Sequence, residues 1–280
     1  MKNPPHVLAV QDISCVGRCS LTAILPIFAA AGIECSVLPT ALLSTHTGGF
    51  HQNTFLDLTE QMPAIFAHWQ RENITFDALC TGYLGSTAQI DILHGWFAQN
   101  PAVMRLVDPV MADHGRLYKG FGTEHVQAIR EWGRDADVLT PNMTEAMLLA
   151  DIPYREGPWD PAFVERLMKR LRENMRVRAL VITGVALDEH TLGSACSCGG
   201  QVSYALTERL PVSFPGTGDI FSAVVLAAML QGNPPAQAAD TATQFTYSCI
   251  RDTIARQSDP RRGVEFERHL RDLTPLASVP

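Results

Sequence analysis

An alternation constrains this chain more than any other feature. Six short apolar runs, HVLAVQD, SVLPTALLS, FDALCTGYL, VMRLVDPV, DVLTPN and RALVITGV, read as strands. Between them lie longer segments of helical character: SLTAILPIFAAAG, LTEQMPAIFAHWQREN, TAQIDILHGWFAQN, GTEHVQAIREWG, MTEAMLLADI and PAFVERLMKRLREN. Strands without a polar face, joined by helices, specify a mostly parallel sheet covered by helices on both faces. After RALVITGV the rhythm changes. GSACSCGG and QVSYALTERL read as antiparallel edge strands, followed by the apolar GDIFSAVVLAAMLQG and the long PAQAADTATQFTYSCIRDTIARQ. The expected class is α/β. No Ser/Gly-rich linker or repeat divides the chain, so one domain over 1–280 is the simplest account.

Composition narrows the partners. With 46% hydrophobic and 18% charged residues the chain can build a sizeable core, and disorder is not expected. A net charge of −7 and the absence of a Lys/Arg run argue against nucleic acid. No window approaches the ~18 apolar residues of a membrane helix. The opening MKNPPHVLAV lacks the apolar stretch and cleavage site of a signal peptide, and the seven cysteines are scattered, as in reduced cytosolic proteins. A cytoplasmic location is expected. Cys196 and Cys198 form a C-x-C with no second pair at zinc spacing, and read as part of a hairpin.

Polar and glycine residues gather where the strands end. Asp12 closes the first run and Ser44 to Gly49 (STHTGG) the second; Gly82 and Tyr83, Asp108, Asn142 and Gly184 close the other four. Each alone is an ordinary turn residue. Their recurrence on one edge marks the place where open α/β sheets bind ligands.

The stretch VSFPGTGDIFSAVVLAAM carries the strongest chemistry. Gly216, Thr217 and Gly218 let the backbone turn and expose successive N–H groups at a helix start, which favours a phosphoryl group. Asp219 then has two readings: a cap of that helix, or a base that takes the proton of a substrate hydroxyl as the phosphoryl group is transferred. Two further carboxylates lie upstream. Asp108 ends a strand in DPVMADHGRLY, with Asp113 five residues on in a loop. In LTPNMTEAM, Glu145 falls in the first turn of a helix that Asn142 or Thr144 caps. Carboxylates on separate strand ends also suit a Mg²⁺ brought by a nucleotide, directly or through water. The P-loop pattern and the protein-kinase motifs are absent. His114 to Gly122, glycine-flanked, is a candidate mobile loop.

In this order, a parallel-sheet core, T-P-N-x-x-E and a late G-T-G-D resemble the ribokinase superfamily, from His6 to about Ile254. VLAVQDISCVG, STHTGGF and CTGYLGS resemble segments of its vitamin B6 branch, the pyridoxal and pyridoxamine kinases. The resemblance implies a ribokinase-like fold and ATP-dependent phosphorylation of the 5′-hydroxymethyl group of a vitamer, with Mg²⁺ and room for a monovalent cation such as K⁺. It implies Asp219 as base and Gly216, Thr217 and Gly218 as the anion hole. Asp108, Asp113 and Glu145 become the acidic positions near the metal; Asn142, Thr183 and Gly184 contact the nucleotide; Asp12, Thr47 and Tyr83 border the vitamer. A homodimer is expected on the same ground. Asp12 departs from the serine of the branch, and an ionised Asp there is expected to tilt preference toward pyridoxamine; the alternative is an aspartate that organises its own loop. His46 reads as a loop histidine with one structural hydrogen bond. Cys15, Cys19, Trp69, Trp96, Trp132 and Trp159 read as packing residues. A hydroxymethylpyrimidine kinase carries a different first loop, a sugar kinase a glycine-rich early strand, and a silent vitamer-binding protein would not need an intact GTGD.

Overall fold

The computed structural model describes residues 3–278; Met1 and Lys2, which open the N-terminal stretch read above, and 279–280 lie outside the described residues. The strands are β1 (His6–Ser14), β2 (Glu34–Leu43), β3 (Phe55–Asp57), β4 (Ala78–Thr81), β5 (Met104–Val107), β6 (Ala112–Asp113), β7 (Arg116–Leu117), β8 (Val138–Leu139), β9 (Ala179–Val185), β10 (Thr191–Cys198) and β11 (Gln201–Glu208). The helices are α1 (Leu21–Ala30), α2 (Met62–Arg71), α3 (Thr87–Gln99), α4 (Thr123–Gly133), α5 (Met143–Leu149), α6 (Pro161–Met175), α7 (Thr217–Leu230) and α8 (Pro235–Ala255).

Nine strands form one sheet in the order β11-β10-β9-β8-β5-β4-β1-β2-β3. Six of them, β9 through β2 in that order, are parallel and correspond to the six apolar runs; β10 and β11 pair antiparallel, as the change of rhythm predicts. The period-2 geometry explains why these strands have no polar face. Val7 and Ala9 of β1 point into one core, Leu8 and Val10 into the other, and all four are fully buried. Helices α2 to α6 cover one face, with Trp132 fully buried among them; α1, α7 and α8 cover the other. The tryptophans do pack: Trp159 is buried, and Trp69 and Trp96 lie against the same cluster.

Two facts position the site. β1 lies between β2 and β4, so the chain passes to one side of β1 and then returns to the other, which makes the C-terminal ends of β1 and β4 the switch point where open α/β sheets bind ligands. Helix α7 is buried all round from Ile220 to Ala228, so its amino end is held rigidly at that same edge of the sheet.

The structure revises several boundaries. FDALCTGYL contributes only the strand Ala78–Thr81, and β10 starts at Thr191, earlier than GSACSCGG. A 3₁₀ turn at Thr59–Gln61 precedes α2, which carries Pro63 in its first turn where no N–H is needed. The antiparallel edge strand β3 was not foreseen. The candidate mobile loop begins instead as the β6–β7 hairpin. His114 and Gly115, at φ 47 and 74, make its two-residue turn.

Candidate active site

The GTGD turn is the first turn of α7. Gly216 is the N-cap, at φ 82, and a Cβ there would lie 2.1 Å from the Arg18 carbonyl oxygen. Nothing larger than glycine fits. No side chain caps the helix, and the Thr217 hydroxyl bonds back to the Phe214 carbonyl at 3.1 Å. The leading N–H groups of Thr217, Gly218 and Asp219 therefore face outward with the positive end of the helix dipole.

Asp219 is not the cap. It is the third helical residue, and its carboxylate reaches across to the start of α1. Oδ2 accepts the Ser20 N–H at 2.8 Å and faces the Cys19 thiol at 3.5 Å. Cys19 is thus more than packing: its S–H donates to the acid. Oδ1 carries no hydrogen bond among the described residues. Burial pushes the Asp219 carboxyl up to about 6, against the opposing Ser20 N–H and with a further push from the charge of Asp12.

Asp12 is buried, and both of its oxygens are engaged. Oδ1 accepts the Ser20 hydroxyl at 2.5 Å and Oδ2 the Ser14 hydroxyl at 3.0 Å. Burial raises its pKa and the two hydroxyls partly offset that rise. Tyr83 is half-buried at the end of β4, its ring stacked on Phe121 with centroids 5.7 Å apart. A Cβ at the neighbouring Gly82 would meet Gln11 Oε1 at 2.0 Å, so a larger residue there would displace the buried Gln11 side chain. Thr47 is exposed on the loop after β2. That loop is pinned by His46, which makes two structural bonds rather than the one expected. Nδ1 accepts the Gly48 N–H at 3.1 Å, so Nε2 carries the hydrogen given to the Arg261 carbonyl at 2.6 Å.

Asp108 and Glu145 share a buried corner beneath α7. Asp108 Oδ2 accepts the Ser222 hydroxyl at 2.9 Å. Glu145 Oε1 accepts the Met111 N–H at 3.0 Å and Oε2 the Asn142 N–H at 2.9 Å, while Asn142 Oδ1 accepts the Glu145 N–H at 2.9 Å. This is a capping box, the local reading of that pair, and it does a second task. Asn142 Nδ2 also donates to the Ala112 carbonyl at 2.8 Å, so the box fastens the β6–β7 hairpin over the site. Asp113 sits on that hairpin, half-exposed, accepting the His114 N–H at 2.8 Å; it does not join the other two acids.

Among the described residues no three acidic, histidine or cysteine side chains converge closely enough to hold a metal by themselves. The electrostatics nevertheless fit one. Burial pushes Asp108 up to about 8, with the charge of Asp219 adding to it, and burial plus Asp108 raises Glu145. The charges acting on both acids are those of other carboxylates, so a cation brought in with a ligand would relieve them.

Thr183 and Gly184 lie near the C-terminal end of β9. Thr183 bridges to Asn142 and donates its N–H to the Pro141 carbonyl at 2.9 Å. Gly184, at φ 69, is left unpaired in a bulge between Thr183 and Val185, with open space where a Cβ would be. One participant has no signal in the sequence. The turn Pro260–Arg262 offers the Arg262 carbonyl to the Arg18 N–H at 3.0 Å and holds His46 through Arg261. It thereby ties two loops of the site together.

An uncapped helix end beside a carboxylate with one free oxygen, at the switch point of a parallel sheet, defines a phosphotransferase of the non-P-loop α/β class. The chain belongs to the phosphomethylpyrimidine kinase family, whose sequence profile matches residues 21–261, and its fold is ribokinase-like. It is similar to the pyridoxal kinase of Lactobacillus plantarum, at 35% identity and TM-score 0.90, covering 97% of each chain. It is also 27% identical over 261 residues to the pyridoxine/pyridoxal/pyridoxamine kinase of Bordetella avium, covering 87% of this chain and 84% of that one. The pyridoxal kinase of Leishmania donovani in complex with ADP and pyridoxamine shares the fold, with TM-score 0.82 at 24% identity over 98% of this chain and 97% of that one.

Proposed function

We propose that this chain transfers a phosphoryl group from ATP to the 5′-hydroxymethyl group of a vitamin B6 vitamer, yielding the 5′-phosphate. The observation that carries this is the amino end of α7: uncapped N–H groups on one side and the unengaged Oδ1 of Asp219 on the other. The relatives that act on pyridoxal, pyridoxine and pyridoxamine, and the ADP complex of the Leishmania protein, support the substrate pair.

In this reading the vitamer hydroxyl lies against Asp219 Oδ1, which orients it and takes its proton as the new P–O bond forms. The N–H groups from Gly216 to Gly218 hold the transferred oxygens, and positioning with charge stabilisation supplies most of the catalysis. When bound, Mg²⁺ supplies charge neutralisation of the nucleotide phosphates. Asp108 would hold it through its remaining oxygen, with Glu145 behind, while Asp113 on the hairpin stands apart from both; a monovalent cation such as K⁺ completes the proposed set. Asn142, Thr183 and Gly184 line the nucleotide side, and Thr47 and Tyr83 the vitamer side, with Asp12 behind them, its oxygens taken by Ser20 and Ser14. One catalytic domain over 1–280, in a cytoplasmic homodimer, is the form we propose. Among the described residues no helix is long and apolar enough to cross a membrane.

The family is described as phosphomethylpyrimidine kinase, which supports one second reading, action on a pyrimidine of thiamin metabolism such as hydroxymethylpyrimidine or its phosphate. ATP- and Mg²⁺-dependent turnover on pyridoxal, pyridoxamine, pyridoxine and hydroxymethylpyrimidine separates the two. Turnover on a B6 vitamer supports the proposal, turnover on the pyrimidine alone moves the chain to thiamin metabolism, and none on all four leaves the fold standing and overturns the proposed substrate.

A further inference from the structure

Ser20 has an unusual backbone. At φ 53 and ψ −136 it occupies a conformation that L side chains rarely adopt, in the turn that opens α1. Its carbonyl starts that helix, accepting the N–H groups of Ala23 and Ile24. Its side chain does not cap α1. The hydroxyl goes the other way, to Asp12 Oδ1 at 2.5 Å, and Asp12 is itself fastened by the Ser14 hydroxyl on Oδ2 at 3.0 Å. The consequence is the direction of the Ser20 N–H, which meets Asp219 Oδ2 at 2.8 Å. A relaxed backbone at this position would turn that N–H elsewhere.

We propose that Ser20, tied down by Asp12, is the positioning residue of the base: it fixes Oδ2 of Asp219 so that Oδ1 alone faces the substrate hydroxyl. This rests on Asp219 being the base. Asp12 then acts through Ser20 on every vitamer alike, instead of selecting pyridoxamine by pairing with its amine.

The test measures kcat and KM on each accepted vitamer and on ATP for Ser20→Ala, Asp12→Ala, their double variant, Ser20→Gly and Asp219→Ala, with melting temperatures alongside. Ser20→Ala and Asp12→Ala should each lower kcat about 10-fold or more on every vitamer, the scale of a misplaced catalytic group. KM values should stay within about twofold, because ground-state binding is untouched. The double variant should lose no more than the worse single one, since both break the same bond. Ser20→Gly should recover most of the loss of Ser20→Ala, because glycine adopts this backbone unaided. If the alanine variants do not fold, Ser20→Gly decides: kcat within about threefold of the parent supports the proposal, and a loss as large as that of Asp219→Ala overturns it. Full kcat in Ser20→Ala with an inactive Asp219→Ala overturns the positioning role and leaves the base intact. Additive losses, or a KM rise for pyridoxamine alone, also overturn it and return Asp12 to the vitamer pocket. Normal turnover by Asp219→Ala removes the base, and this proposal with it.

Discussion

Replacing Asp108 by asparagine should stabilise the protein and disable it at once. Asp108 is 8% exposed and accepts the Ser222 hydroxyl, and burial with the nearby charge of Asp219 pushes its carboxyl from 3.8 up to about 8. The folded chain therefore binds this proton more tightly than the unfolded one. The cost of ionising Asp108 in the fold is absent below about pH 4, grows as pH rises, and is complete above about pH 8. Roughly four pKa units correspond to a ceiling of about 5 kcal/mol. Asparagine keeps an oxygen for Ser222 but leaves a buried amide to satisfy, so about 2 kcal/mol of relief is a reasonable share. That is about 5 °C in melting temperature for a chain of this size. Melting curves without nucleotide or divalent cation, at pH 8 and pH 4.5, measure it. Asp108→Asn should melt higher at pH 8, lose that advantage at pH 4.5, and show kcat reduced about 10-fold or more for want of the charge that would face the nucleotide's cation. An Asp108→Asn protein that melts at or below the parent at pH 8 would refute the reasoning.

Three other outcomes follow from the site. With Asp219 pushed up to about 6, its ionised, proton-accepting form is lost as pH falls, so kcat/KM should decline about 10-fold per unit below pH 6; an acid limb near pH 4 would contradict this. Gly216→Ala places a methyl 2.1 Å from the Arg18 carbonyl at φ 82, so the turn must open. Its kcat should fall by about 10²-fold, as for loss of an oxyanion donor, while circular dichroism shows an intact fold; unchanged kcat would show that the turn is not the cradle. The edge formed by β2 and β3 leaves Leu42, Phe55 and Leu56 at 39%, 52% and 56% exposure. If this edge joins two copies, Phe55→Glu with Leu56→Glu should halve the mass measured by light scattering, and an unchanged dimer would place the contact elsewhere.

The parallel sheet was legible because its six strands are apolar on both faces and its helices are long enough to show their period. β3 escaped notice because three residues carry no alternation, and its pairing with β2 depends on a returning loop. Of the candidate mobile loop His114–Gly122, the first four residues complete the Ala112–Leu117 hairpin, which was missed although His114-Gly115 is a plausible left-handed turn pair. In the site, Asp219 and the glycines before it were legible as a local pattern. The reading of Asp219 as a possible cap was settled by geometry, since Gly216 takes the cap position and the aspartate turns toward α1. Ser20 was not legible. Its bond to Asp219 spans 199 residues, and nothing in a lone serine announces a strained backbone. The turn holding His46 through Arg261 spans 215 residues and was missed for the same reason. Local chemistry shows in sequence; contacts made by sheet topology do not.

The central claim is that Asp219 takes the proton of the vitamer hydroxyl at the amino end of α7. The most direct measurement is single-turnover formation of the vitamer 5′-phosphate from ATP by the parent protein and by Asp219→Asn, at saturating substrates. The account predicts a rate lower by about 10²-fold or more in the variant, with the fold and nucleotide binding retained. A variant that forms product at the parent rate would contradict it.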